Sequence, residues 1–203
     1  KGVTLPAIRG RRRTANGVAT GPHSRDRLAM VSVRRIEPGD AALLRTVRLA
    51  ALKDAPSAFA STHAAEAVRS DHEWTERALA GSKGSARATF FASEPGAVVG
   101  LVGGYRDGPL DGRVELVSMW VAPTHRRSGV GRALVDAVIA WTQETGGSDV
   151  GLWVTRGNSA AEHLYQSMDF TPTGERQPLP SDPSKEETRM VRPIPSRALE
   201  GTL

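Results

Sequence analysis

The 203-residue chain contains no cysteine. That excludes a disulfide scaffold, a thiolate nucleophile and any zinc site built on Cys ligands. It also has no apolar run near the roughly 18 residues needed to cross a bilayer. No signal-peptide core follows the basic start, so the expectation is a cytoplasmic protein with no membrane partner. Several enzyme signatures are missing too. No serine stands in a G-x-S-x-G setting, which leaves a hydrolase triad unsupported. His63, His72, His125 and His163 lack the i, i+4 spacing of a helical metal site, so they read as surface or structural residues and no metal is expected.

What is present is ordinary in bulk: 39% hydrophobic and 24% charged residues, enough for one soluble domain with a proper core. The net charge of +5 invites a nucleic-acid reading, but its distribution argues against one. Residues 1–29 carry Lys1, Arg9, Arg11, Arg12, Arg13, Arg25 and Arg27 against Asp26 alone, so the rest of the chain is close to neutral. That segment has no helical or strand period and reads as a disordered basic extension. A domain is expected over 30–193, followed by a short C-terminal tail over 194–203.

From Met30 strands and helices alternate. Val31, Val33 and Ile36 predict a first strand. Asp40 is placed to cap a helix through Leu44, Val47 and Ala51. Ser70-Asp71-His72-Glu73 spells a capping box for a second helix ending at Gly81. Thr89–Ser93 and Ala97–Tyr105 predict two strands, and Val114–Val121 a fourth that stops at Pro123. Val130, Leu134, Ala137, Val138 and Trp141 recur at helical steps, and Val150, Leu152 and Val154 predict a fifth strand. Ser159-Ala160-Ala161-Glu162 reads as another capping box, opening a helix with Leu164, Tyr165 and Met168 on one stripe. The Pro-rich stretch 172–183 reads as a loop before a last strand at Thr188–Arg192. This order predicts an α/β or α+β sheet with helices on both faces.

The chemistry concentrates at Arg126-Arg127-Ser128-Gly129-Val130-Gly131, between the fourth strand and the long helix. A helix start presents unpaired N–H groups at the positive end of its dipole, which suits a phosphate. The two glycines remove side chains from its path, and Arg126, Arg127 and Arg132 add positive charge. A dinucleotide fingerprint fails, because Leu134 stands where its third glycine belongs and Thr155 where its acidic residue belongs. A Walker loop fails for want of Gly-Lys-Ser/Thr.

Arg126-x-x-Gly129-x-Gly131, after a strand ending Met119-Trp120-Val121-Ala122-Pro123, resembles the acyl-CoA-binding motif of the GNAT superfamily of N-acetyltransferases. Asn158-x-x-Ala161-x-x-Leu164-Tyr165-x-x-x-Asp169-Phe170 is similar to that superfamily's second conserved segment, except that Asp169 replaces the usual glycine. The resemblance implies the GNAT fold: a single mixed, largely antiparallel sheet, bulged in strand 4 and splayed between strands 4 and 5. It also implies acetyl-CoA as cosubstrate. Its pantetheine arm would pair with backbone at Met119 and Val121, the Val121 N–H would face the developing oxyanion, and its pyrophosphate would lie on the amides of Arg127, Ser128, Gly129, Val130, Gly131 and Arg132. Asn158 would contact the cofactor arm, Tyr165 would act as general acid and Glu115 as a candidate base. The alternative readings are Tyr165 as core and Glu115 as a solvated charge on its strand. The segment Asp54–Phe59 would shape the acceptor pocket.

The implied function is transfer of an acetyl group from acetyl-CoA to a primary amine of a small molecule or peptide, by direct attack. An acyl-CoA sensor without turnover is the alternative, and the presence of Tyr165 and Asn158 speaks against it. Nucleic acid is not the expected partner, and the resemblance leaves a homodimer open.

Overall fold

A computed structural model describes residues 31–106, 108 and 112–195. The basic extension expected over 1–29, most of the 194–203 tail and most of the loop at 107–112 lie outside the described residues. Seven strands form one sheet in the order β1-β2-β3-β4-β5-β7-β6. They are β1 (Ser32–Arg35), β2 (Arg87–Glu94), β3 (Ala97–Arg106), β4 (Arg113–Val121), β5 (Asp149–Thr155), β6 (Thr171–Leu179) and β7 (Asp182–Pro193). The helices are α1 (Ala41–Asp54), α2 (His63–Ala67), α3 (Asp71–Ser82), α4 (Val130–Glu144) and α5 (Ser159–Gln166). Every neighbouring pair is antiparallel except β4 and β5, which are parallel. The mixed, largely antiparallel sheet is as expected.

Burial of β2 follows the strand period of two and sorts the layers. Phe90 and Ala92 pack with α4 residues such as Leu134 and Val138 on one face. Phe91, between them, packs with Leu44 and Val47 of α1 and Trp74 and Ala78 of α3 on the other. Helices therefore cover both faces. Full burial of a side chain such as Leu134 is worth about 1.5–3 kcal/mol, so the stripe on α4 fixes that helix firmly over the sheet.

Local signals held unevenly. Ser70 and Glu73 form the expected capping box: Ser70 Oγ accepts from the Glu73 amide at 3.3 Å, and Glu73 Oε2 accepts from the Ser70 amide at 2.8 Å. Asp40 makes no side-chain cap on α1. Its carboxylate instead takes two bonds from Arg34 and one from the Glu37 amide. Nor does Ser159 cap α5, because Asn158 does, accepting from the Ala161 amide at 3.3 Å.

The larger correction concerns 172–183, which is a hairpin of β6 and the start of β7 rather than a loop. Proline removes a ladder donor, which argues against a central strand. β6 lies at the sheet edge and pairs with β7 alone, so Pro172 and Pro178 are tolerated there at the cost of an irregular register.

Candidate active site

The site begins where β4 leaves its neighbours. Between Val117 and Trp120, β4 gains one residue relative to β3, and Ser118 adopts φ +58. This is a β-bulge, which bends the strand that carries it. On the other side, β4 pairs with β5 only through Arg113–Glu115 against Asp149–Gly151. Beyond that point the two parallel strands part. Both the bulge and the splay match the sequence expectation, and the gap between Met119 and Trp153 opens into a cleft of about 500 Å³.

One end of this gap meets the start of α4. The amides from Arg127 to Arg132 donate no hydrogen bond to another described residue, and the first helical bond runs from the Ala133 amide to Gly129. Arg127 and Gly129 turn the chain through φ +61 and +94. Glycine suits the second position because a Cβ would strain it. Ser128 Oγ donates to the His125 carbonyl at 2.6 Å and locks the turn, so Ser128 and the buried Val130 offer their amides rather than their side chains. Gly131 serves packing as well: a Cβ there would meet Leu164 Cδ2 of α5 at 3.1 Å and Met119 Cε at 3.4 Å.

The arginines divide. Arg126 donates from Nε to the Val121 carbonyl at 3.0 Å and pairs with Asp54, which also accepts from Trp120 Nε1 at 2.8 Å. Arg132 donates to the Ser167 carbonyl and hydroxyl. Arg127 is exposed and pairs with no described residue. The Val121 carbonyl is therefore already used, which leaves the Val121 N–H for the role expected of that residue. Asp54 is engaged at this end, whereas Ala58 and Phe59 of the same segment do line the cleft.

Tyr165 enters the cleft from α5, only 5% exposed and packed 5.6 Å from the Phe170 ring. Burial raises its hydroxyl pKa above the ordinary tyrosine range, so it stays protonated at neutral pH. Asp169, which follows the helix, adopts φ +64, the left-handed turn anticipated for it. Glu115 lies on the cleft floor with both oxygens held by Arg189 of β7, one at 2.6 Å from Nη1. The hydrogen bond to Glu115 raises the Arg189 pKa against the opposing effect of burial.

Sequence reasoning missed a second charged group. Glu66 of α2 is 1% exposed and accepts from Arg48 of α1 at 3.0 Å and from Arg77 of α3 at 2.7 Å. Burial pushes its pKa upward, but Arg48 and then Arg77 outweigh that and draw it down to about 2. Arg48 also lies 4.7 Å over the Phe59 ring and donates to Ser118 Oγ at 3.3 Å. It thus ties three elements to the bulge at the cleft wall. No local spacing signals this group, since its members come from separate helices.

The family model described as the acetyltransferase (GNAT) family matches residues 49–170. The chain belongs to that family. N-acetyltransferase 8 of Homo sapiens is 38% identical over 81 residues, covering 38% of this chain and 36% of that protein. The chain spans less than half the length of the curated relatives it matches. An acetyltransferase of the GNAT family from Streptococcus pneumoniae superposes with a TM-score of 0.68 at 21% identity, over 81% of this chain and 99% of that one. Spermidine N-acetyltransferase from Vibrio cholerae, solved with CoA and spermine, gives a TM-score of 0.66 at 18% identity, over 82% and 96%. At such identities these structures speak for the GNAT fold. The sequence and fold resemblances therefore agree.

Proposed function

We propose that the protein is an acetyl-CoA-dependent N-acetyltransferase acting on a primary amine of a small molecule or peptide. The observation that carries this reading is the run of free amides from Arg127 to Arg132 at one end of a strand gap that holds protonated Tyr165. Those amides, at the positive end of the α4 dipole, suit a pyrophosphate, with exposed Arg127 adding charge. The parted edge of β4 at Met119 and Val121 suits an extended amide-bearing arm. Asn158 spends its carbonyl on the α5 cap and keeps its amide hydrogens for that arm.

An amine that attacks a thioester carbonyl generates an oxyanion and then a departing thiolate. The Val121 N–H supports the first and Tyr165 protonates the second. An alkylammonium has a pKa of roughly 10, so a proton must leave before attack. Glu115 contributes to that proton path if its pair with Arg189 opens; in the closed pair it positions Arg189 across the floor.

The test is acetyl-CoA-dependent thiol release across polyamines, aminoglycosides, amino acids and peptides. With no cysteine in the chain, a thiol reagent reports only free CoA. Release with one acceptor class supports the reading and identifies the acceptor. Bound acetyl-CoA with silence across the panel favours an acyl-CoA-binding sensor, and failure to bind acetyl-CoA refutes the proposal.

A further inference from the structure

Among the described residues, the cleft floor holds one carboxylate with no cation paired to it. Glu187 of β7 is 6% exposed, and the only hydrogen bond its carboxylate accepts from a described residue comes from a neutral group, Gln177 Nε2 of β6, to Oε2 at 3.1 Å. Its Oε1 accepts from no described residue, and it is not among the buried polar atoms sealed from solvent without a partner. Glu187 stands opposite Thr155 and two residues from Arg189, so the strand period puts it on the face that carries Arg189 and Glu115. The cations that line the cleft are committed elsewhere, Arg189 to Glu115, Arg48 to Glu66 and Arg113 to Asp149. A carboxylate this buried is costly without a cation and hydrogen-bond donors. Glu187 and Tyr165 line the same cleft.

Resting on the transferase reading above, we infer that Glu187 receives the acceptor's ammonium group and takes its first proton. The Glu187 carboxylate accepts one proton from R–NH3+ and passes it to solvent. The freed amine lone pair forms the C–N bond to the acetyl carbon, and the C–S bond breaks as the intermediate collapses. The Tyr165 hydroxyl protonates the thiolate. The second proton shed by nitrogen goes to solvent, from which Tyr165 is restored, so one proton is released per turnover. Glu187 thereby selects cationic amines over neutral isosteres, while the Glu115–Arg189 pair stays closed.

The test uses the full chain with CoA bound, titrated calorimetrically with tyramine, its neutral isostere tyrosol, spermidine and an aminoglycoside, together with thiol release from acetyl-CoA for each amine. Wild type should bind at least one of the amines, with tyramine favoured over tyrosol if tyramine is that ligand. Glu187→Gln, which keeps the shape and the Gln177 contact, should weaken amine binding at least 10-fold and lower kcat/KM about 100-fold. CoA affinity should stay within twofold, and Glu187→Asp should recover part of the loss. Amine binding and kcat/KM unchanged in Glu187→Gln would overturn the assignment, as would failure of every amine to bind wild type. Amine binding that depends on Glu187 without any thiol release would leave the anchor standing and sink the transferase reading instead.

Discussion

Replacing Glu66 by Gln tests the buried charge cluster behind the cleft wall. In the folded protein the Glu66 carboxyl is drawn to about 2 from its ordinary 4.5. At about 1.4 kcal/mol per pH unit this is roughly 3 kcal/mol of stability, close to what breaking a buried ion pair costs. The folded-state value is the lower one, so this stability is fully present above pH 4.5 and is lost as pH falls toward 2. Urea titrations of wild type and Glu66→Gln at pH 7 should therefore differ by about 3 kcal/mol. The gap should narrow by about 1 kcal/mol at pH 3.5 and continue to close below it.

The variant should also loosen Arg48, whose guanidinium otherwise holds the Ser118 hydroxyl of the bulge. A fall in acceptor-dependent turnover larger than any fall in acetyl-CoA affinity would accompany the lost stability. A difference under about 1 kcal/mol at pH 7, or one that does not change with pH through this window, would refute the claim that Arg48 and Arg77 outweigh the burial of Glu66.

Other substitutions probe the remaining parts of the site. Tyr165→Phe should lower kcat about 100-fold with acetyl-CoA affinity held within twofold; equal losses in both would mean that the ring acts through packing on Phe170. Arg127→Ala should weaken acetyl-CoA binding several-fold, and raising the salt should shrink the difference, since exposed charge is screened beyond about 10 Å at 0.1 M; binding unchanged at low salt would remove Arg127 from the phosphate site. Asp169→Gly should raise stability by about 1 kcal/mol by relieving the left-handed turn, read as an upward shift in Tm, and a lower Tm would contradict it.

The two sides of the cleft, the proposed cofactor side and the proposed acceptor side, differ in how they are written into the chain. The cofactor side is local: Met119 to Arg132 run continuously from strand through turn to helix, and Asn158 to Tyr165 span two helical turns. Glycine at a forced φ, a helix start and an i-to-i+7 stripe are all short-range constraints, so the motif resemblance could expose them. The acceptor side is assembled across distance. Arg48 meets Ser118 over 70 residues, and Arg189 meets Glu115 over 74. Such pairs leave no period in the sequence, which is why Glu66 and Glu187 went unread and why Glu115 appeared as a lone charge. The hidden β6 belongs to the same class. Prolines argue locally against a strand, and only the edge position of β6 in the finished sheet makes them tolerable; that strand supplies Gln177, the one described partner of the Glu187 carboxylate. On the proposed reading, the bulge of β4 and the free amides of one short segment place the acyl donor. The floor beneath is held by long-range pairs, so on that reading one substitution such as Glu187→Gln can alter acceptor binding while cofactor binding stays constant.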